Sequence, residues 1–276
     1  EGFLHELGEN TETQQKRGRR KVLLSIDSNC RLAFGAAIDE KTLTVGLSNL
    51  HGDSLEHIRT NIEGMHYRAV LSALFEQVQQ MMRDNCIPAE RVLGVGVVLG
   101  DRASGLVEGG AGVEKLTRLK RDLAYAVKIP IITARTATGM LIAQRLFYGE
   151  NARHAVLLRC GKTAPAEVGA LMNGRPYSGV HGQLGADFSD TGETPYRRAA
   201  ELAALYAQLI DPEKIYLCGS LFDEEEMLKM VSDRAVEIAG RPITILRASA
   251  DEKNLHLCGC AICVERCFYL DSAQGV

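Results

Sequence analysis

The sequence has no long apolar run, little net charge and no leader-like beginning. Its longest apolar runs, such as Leu93 to Leu99, are far shorter than the roughly 20 residues that a membrane-spanning helix needs. The formal net charge is only −3 over 276 residues, so the chain as a whole has no general attraction to nucleic acid. These absences predict a cytoplasmic globular protein without membrane contact, in which any nucleic-acid binding depends on a local patch.

One candidate patch lies near the start. The sequence begins at Glu1 rather than Met, which predicts that the chain starts inside a longer protein. Residues 1–9 have the pattern of the end of a short amphipathic secondary-structure element. A polar segment follows and leads into a basic run that contains Lys16, Arg17, Arg19 and Arg20. Such a run is either a solvated linker or a phosphate-contacting patch, and the sequence leaves both readings open.

Apolar periodicity predicts the secondary structure. Strands are predicted at 22–26, 32–38, 43–47, 55–59, 92–99, 129–133, 155–159, 167–172, 175–178, 214–218 and 243–246. Helices are predicted at 67–83, 115–127, 136–147, 197–210, 224–238 and 257–270. Each half begins with strands and then alternates helix and strand, which indicates an internal duplication. The expected product is a pair of similar α/β lobes with a ligand-accessible cleft between them.

The stretch from Leu171 to Ser189 is the best candidate for a ligand-facing segment. Asn173-Gly174 separates two apolar runs, and this dipeptide favours the positive φ angles of a tight hairpin turn. The glycines that follow allow the backbone to approach a bound molecule closely, and His181 and Asp187 lie beside them. His181 either stabilises this loop or contacts a ligand.

The cysteines near the C-terminus could be a metal cluster or buried thiols. Cys260, Cys263 and Cys267 are spaced for one face of a helix, whereas metal ligands usually lie on a turn that folds around the ion. Free cysteine also behaves as a small apolar residue in protein cores. The spacing therefore favours buried thiols, and no metal site is predicted.

The order of these segments resembles the ROK family of bacterial sugar kinases and sugar-responsive repressors. The matching pieces are GRRKVLLSID (18–27), GAAIDEKTLTVGLSNLHGD (35–53), LGVGVVLGDRASGLV (93–107), KIPIITARTATGMLIAQRLFYG (128–149), 171–189, LIDPEKIYLCGSL (209–221) and the closing CGCAICVERCFYL. The resemblance implies a duplicated, actin-like (ribonuclease-H-like) α/β fold of two lobes. It also implies a division into a winged-helix remnant and linker (1–20), an N-terminal lobe (21–134 with 256–276) and a C-terminal lobe (135–255).

The catalytic positions of the family do not match. The resemblance aligns the first phosphate-binding turn, Asp-x-Gly-Gly-Thr in the family, with Asp27 to Arg31, where only the Asp is retained. Thr136 stands where the kinases have their catalytic Asp, and a hydroxyl cannot serve as that base at neutral pH. The second glycine-rich turn retains only Gly169, and it contains Pro165 and Glu167, neither of which suits a phosphate.

The zinc and sugar motifs of the family are also degenerate. Its Glu-x-Gly-His segment aligns in two registers, one with Ala186 and Ser189 and the other with Asp187 and Asp190, and neither supplies the histidine. The Cys-x-Cys-Gly zinc loop has no counterpart. The resemblance therefore implies a protein without catalytic residues, metal or cofactor.

The combined expectation is the effector-binding and oligomerisation region of a ROK-type transcriptional regulator. It would bind DNA through an N-terminal domain missing from this chain, respond to a sugar or sugar derivative, and form a homodimer or homotetramer. The predicted effector residues are Arg135, Thr136, His181, Gly182 and Asp187, and the predicted linker or DNA residues are those of the basic run. Arg135 could bind an anion or pair with Asp187 or Glu167. The alternatives are an ATP-dependent sugar kinase and a ligand-independent dimerisation platform.

Overall fold

The computed structural model describes residues 4–9, 22–107, 112–125, 129–162, 166–179, 184, 194–250 and 252–270. The strands are β1 (Leu4–Glu9), β2 (Val22–Ile26), β3 (Leu32–Ile38), β4 (Thr42–Asn49), β5 (Ser54–Asn61), β6 (Val92–Leu99), β7 (Ile131–Arg135), β8 (Ala155–Arg159), β9 (Glu167–Met172), β10 (Arg175–Tyr177), β11 (Lys214–Cys218) and β12 (Ile245–Arg247). The α-helices are α1 (Tyr67–Asp84), α2 (Val113–Ala124), α3 (Thr136–Leu146), α4 (Pro195–Ile210), α5 (Glu225–Ala239) and α6 (Leu255–Glu265).

The chain folds into two five-stranded sheets of the same design. The first has the order β5-β4-β3-β6-β7 and the second the order β10-β9-β8-β11-β12. In each sheet the first three strands along the chain pair antiparallel, and the last two join in parallel. The internal duplication predicted from the sequence is confirmed.

The secondary-structure predictions agree with the structure to within three residues at nearly every boundary. The exception is the last helix, predicted over 257–270. It begins at Leu255 and ends as an α-helix at Glu265, and a π-helical turn follows at Arg266–Leu270. The hairpin in the 171–189 stretch is confirmed, because β9 and β10 pair across a two-residue turn in which Asn173 and Gly174 have φ angles of 55° and 75°.

The predicted strand at 22–26 exists but does not belong to the first sheet. β2 pairs antiparallel with β1 in a separate two-stranded ribbon. A turn at 27–31 connects this ribbon to β3. The base of the ribbon is attached to the first lobe by hydrogen bonds from the Leu50 amide to the Ser28 carbonyl (3.0 Å) and from the Arg91 guanidinium to the Asn29 carbonyl (2.5 Å).

Helices form three layers around the two sheets. α1 and α2 cover the outer face of the first sheet, and α4 and α5 cover the outer face of the second. α3 and α6 lie between the sheets, and the buried residues of that layer come from both lobes. Every residue of α6 is buried, because its sequence LHLCGCAICVE has no charge before Glu265 and no polar face to turn outward. No helix in the described ranges is long and apolar enough to span a membrane.

α6 touches the first sheet backbone to backbone. A Cβ atom at Gly259 would collide with the Gly96 carbonyl oxygen and would lie 2.8 Å from both the Ala36 nitrogen and the Gly35 Cα. Equally, a Cβ at Gly35 would collide with the His256 carbonyl oxygen. The close approach of helix and sheet therefore depends on glycine at these positions.

The contact at Gly259 predicts that Gly259→Ala destabilises the protein. Alanine is normally preferred to glycine inside a helix, by about 1 kcal/mol, but here the methyl group must displace the backbone of the first sheet. We expect the free energy of unfolding to fall by about 1–3 kcal/mol, measured by chemical denaturation. Gly105→Ala is the matched control, since a Cβ at Gly105 meets no atom within 4 Å. Equal stability of the two variants would contradict the prediction.

Candidate functional site

The first hairpin of each sheet points into the cleft between the lobes. In the first sheet this hairpin joins β3 to β4 through the turn Asp39-Glu40-Lys41, where the Asp39 amide donates to the Thr42 carbonyl at 2.9 Å. The alignment of Asp27 to Arg31 with the first phosphate-binding turn is therefore wrong. Asp27 lies in the turn that leaves the β1–β2 ribbon, and its carboxylate caps that turn by accepting from the Asn29 amide at 2.9 Å. The true hairpin turn carries charged side chains and no glycine.

A cluster of charged side chains joins the two hairpins. Its centre is Arg159, the last residue of β8, and its carboxylates are Asp39, Glu167 and Glu252. The guanidinium contacts Asp39 at 2.5 Å, Glu167 at 3.0 Å and Glu252 at 2.9 Å. We call these four residues the Arg159 cluster. It fills the part of the cleft where the two hairpins meet.

Glu167 is the most deeply buried member of the cluster. Its side chain is only 4% exposed, and its carboxylate accepts both from Arg159 and from the backbone amide of Asp101 at 2.8 Å. Burial raises the pKa of Glu167 to about 7, with Asp101 and Asp39 adding to the rise and Arg159 opposing it. Burial also acts on Asp39, but the attraction of Arg159 outweighs it and lowers the pKa of Asp39 below its usual value.

A second ion pair lies next to the cluster. Arg135, at the end of β7, pairs with Asp101 through two guanidinium nitrogens, one of them at 2.9 Å. The sequence had offered Glu167 or Asp187 as the salt-bridge partner. That expectation is wrong for Glu167, whose carboxylate lies on Arg159 and on the Asp101 amide. A third nitrogen of Arg135 donates to the carbonyl of Leu184 at 3.5 Å.

The start of α3 lies beside these pairs. Thr136 opens the helix and is 1% exposed. Gly169, on β9, packs against the same turn, because a Cβ at Gly169 would lie 2.5 Å from the Ala137 carbonyl oxygen. The retained glycine of the second hairpin therefore has a packing role in this structure.

Two cavities border the cleft. One, of about 240 Å³, lies between the lobes; its lining includes Arg135, Thr138, Ile132, Ser178, Ile262 and Arg266. The other, of about 450 Å³, lies where β11 and β12 end and is lined by residues that include Gly219, Ser220, Arg247, Lys253 and Glu252. Carboxyl ends of parallel strands are common ligand positions in α/β proteins.

The predicted effector residues are only partly visible. Arg135 lines the smaller cavity and Thr136 is next to it, so the structure brings these two together. His181, Gly182 and Asp187 lie outside the described residues. The basic run with Lys16, Arg17, Arg19 and Arg20 also lies outside them.

The cysteines of α6 are buried in the described structure. Cys258, Cys260 and Cys263 are each at most 1% exposed, and the Cys260 thiol donates to the Ala33 carbonyl at 3.3 Å. Burial raises the pKa of Cys258 and of Cys260 to about 12, so these thiols stay protonated. Among the described residues, no group of three or more potential ligands is arranged to hold a metal ion.

Sequence reasoning missed the Arg159 cluster, although the duplication contained a signal for it. Asp39 directly follows the first strand of the first sheet, and Arg159 ends the first strand of the second. The two repeats thus carry opposite charges at equivalent positions, the end of the first strand of each sheet. Because both first hairpins face the same cleft, the Asp39 carboxylate and the Arg159 guanidinium come together there. Asp101 and Glu252 follow no comparable pattern.

The sheet orders and the interlobe cleft define the duplicated, actin-like α/β fold of two lobes. No family model matches the sequence, and no curated protein matches it. Among solved structures the fold is that of ROK proteins. One is a ROK transcriptional regulator described as a homologue of the E. coli MLC protein, with a TM-score of 0.67 and 15% identity over 96% of this chain and 85% of that one.

ROK kinases have the same fold. A ROK hexokinase from Thermus thermophilus has a TM-score of 0.66 at 14% identity, and the alignment covers 84% of this chain and 98% of the other. A ROK glucokinase from Streptomyces griseus, solved with glucose and AMPPNP, has a TM-score of 0.65 at 14% identity with the same coverage. Regulators and kinases thus share the architecture, which alone does not separate the two activities.

The buried Glu167 predicts a pH-dependent difference between the protein and Glu167→Gln. The raised pKa of Glu167 means that its contribution to stability is complete below the ordinary value of 4.5 and is lost as pH rises through about 7. Glutamine does not titrate. The free energy of unfolding of the wild type relative to the variant should therefore fall between pH 4.5 and 7, by on the order of 3 kcal/mol at most. A difference that stays constant across this range would contradict the prediction.

Proposed function

We propose that this chain is the effector-binding and oligomerisation region of a ROK-type transcriptional regulator, and that it does not phosphorylate sugars. The observation that carries the proposal is the Arg159 cluster. The Asp39 carboxylate and the Glu167 side chain occupy the hairpin ends of the cleft, where a phosphate would meet like charge at Asp39 and side chains instead of free backbone amides. Thr136 at the start of α3 offers no base for a sugar hydroxyl.

The segment that precedes β3 supports the regulator assignment. Its 31 residues include the β1–β2 ribbon and the basic run. The regulator aligns with 96% of this chain, so most of this segment has a counterpart there. We infer that the ribbon leads to a DNA-binding domain on its N-terminal side, and that the protein acts on DNA in the cytoplasm as a homodimer or homotetramer.

The effector site belongs to the smaller cavity in this proposal. Leu116 and Ile132 line it from the first lobe and Ser178 lines it from the second, so a small molecule there would contact both lobes. A sugar or sugar derivative is the effector class that the fold suggests. His181, Gly182 and Asp187 complete the proposed site.

A second candidate function is a dimerisation platform that responds to no ligand. Two observations favour it: the Arg159 cluster already fills part of the cleft, and the smaller cavity, at about 240 Å³, is below the usual range of ligand pockets, roughly 300–1,000 Å³. In this case the cleft would hold the two lobes together and would bind no effector.

Thr136, which stands where the kinases have their catalytic Asp, predicts no kinase activity. Purified protein with ATP, magnesium and common hexoses should produce no sugar phosphate above the no-enzyme rate, measured by coupled ADP release. A ROK hexokinase assayed in parallel is the positive control. Turnover above trace level that follows the protein through purification would refute the non-enzyme proposal and support the kinase alternative.

A thermal-shift screen separates the effector-binding region from the ligand-independent platform. A ligand that binds only the folded state raises its stability by about 2.7 kcal/mol at one hundred times its Kd. Sugars, amino sugars and sugar phosphates should include at least one compound that raises the Tm, and Arg135→Met should abolish that shift. A flat response across the panel would favour the platform.

A further inference from the structure

The Asp39–Arg159 contact is an ion pair between the lobes. Asp39 follows β3 in the first sheet, whereas Arg159 ends β8 in the second. The other two carboxylates of the Arg159 cluster come from the same half of the chain as Arg159. Glu167 is its cross-strand neighbour in the register of β8 and β9, and Glu252 lies between β12 and α6. Asp39 is the only member of the cluster that comes from the first lobe.

The contact is shielded from water. The Arg159 side chain is 11% exposed and that of Asp39 is 19% exposed. A guanidinium at this depth is costly without hydrogen-bonded carboxylates around it, because water cannot replace them while the lobes are together. The lowered pKa of Asp39 indicates that the attraction exceeds the cost of burying the carboxylate. The pair therefore favours the arrangement in which the lobes meet.

A hydrogen bond from a backbone amide also joins the two lobes at the Arg159 cluster. The Asp101 amide, from the first lobe, donates to the Glu167 carboxylate of the second at 2.8 Å. The preceding amide, that of Gly100, donates to the Ile38 carbonyl inside the first sheet at 2.9 Å. Adjacent amides thus report separately on the contact between lobes and on the integrity of the first lobe.

We propose that Asp39 acts as an internal anionic ligand of Arg159 and holds the two lobes closed on each other without any bound molecule. In this state the chain itself supplies the negative charge that bridges the cleft. The proposal goes beyond the proposed function and does not depend on it, because it concerns the resting conformation whether or not the chain regulates transcription.

Two isosteric substitutions test the proposal. Asp39→Asn removes the only charge of the cluster that comes from the first sheet. Glu252→Gln is the matched control, because it removes a carboxylate at a similar distance from the same guanidinium without changing the contact between lobes. Both variants change the net charge by the same amount.

The measurement is hydrogen exchange at the Asp101 and Gly100 amides of the whole chain, resolved by NMR. An amide exchanges slowly only while its hydrogen bond is closed. We expect Asp39→Asn to accelerate exchange at Asp101 at least tenfold and to leave Gly100 unchanged, and Glu252→Gln to leave both near the wild-type rates. Scattering in solution should show a larger radius of gyration for Asp39→Asn alone.

The proposal is overturned if Asp101 exchanges at the wild-type rate in Asp39→Asn, or if Glu252→Gln accelerates it as much. Equal acceleration at Gly100 and Asp101 would also overturn it, because the first lobe itself would then be unfolding. If Asp39→Asn does not fold, Arg159→Lys replaces it. Lysine keeps the charge but cannot contact three carboxylates as a planar fork, so Asp101 should again exchange faster than Gly100.

Discussion

The backbone contact between α6 and the first sheet is the constraint on which the rest of the structure depends. Gly259 on the helix and Gly35 and Gly96 on the strands allow main-chain atoms to touch, so the helix lies as close to the sheet as the backbones permit. α6 also packs with α3, and α3 packs in turn on β8 and β9 of the second sheet. The spacing of the two sheets is therefore determined by this layer, and it brings the two first hairpins within ion-pair distance.

Closeness of the hairpins explains the chemistry of the cleft. A turn that binds a phosphate must leave its backbone amides accessible to the ligand. The β3–β4 turn, Asp39-Glu40-Lys41, instead carries a charged side chain at each position. Arg159 and Glu167 lie on the opposite hairpin, and Arg159 pairs with Asp39 across the cleft. Arg135 and Asp101 form a further ion pair nearby. Ion pairs within the protein therefore occupy this part of the cleft.

Much of the fold could be predicted from the sequence, because it depends on local periodicity. The uncharged run of β6 and the three-and-four spacing of α1 each locate an element within a residue or two, and the Asn173-Gly174 turn fixes the register of its hairpin. The duplication follows from the order of these elements. Val22–Ile26 shows the limit: its pattern identifies a strand, but a strand pattern does not say which partner it will pair with.

The candidate site was harder to predict from the sequence, because its ion pairs join residues that are far apart along the chain. Asp39 and Arg159 are 120 residues apart, and nothing local indicates that they meet. The misplacement of the first phosphate turn at Asp27 had the same origin, because one Asp near a strand end resembles another until the sheet order is known. Arg135 lines the smaller cavity, and of its two expected partners Glu167 pairs with Arg159 instead.

The attachment of the β1–β2 ribbon affects how motion could pass along the chain. Its base is hydrogen-bonded to the first lobe through Ser28 and Asn29, so this end of the ribbon is attached to that lobe. The second lobe has no such connection among the described contacts of the ribbon. Leu4, where β1 begins, pairs with Ile26 at this base, so a domain joined to the N-terminal side of β1 would lie beside the first lobe. A rotation between the lobes would then turn such a domain relative to the second lobe.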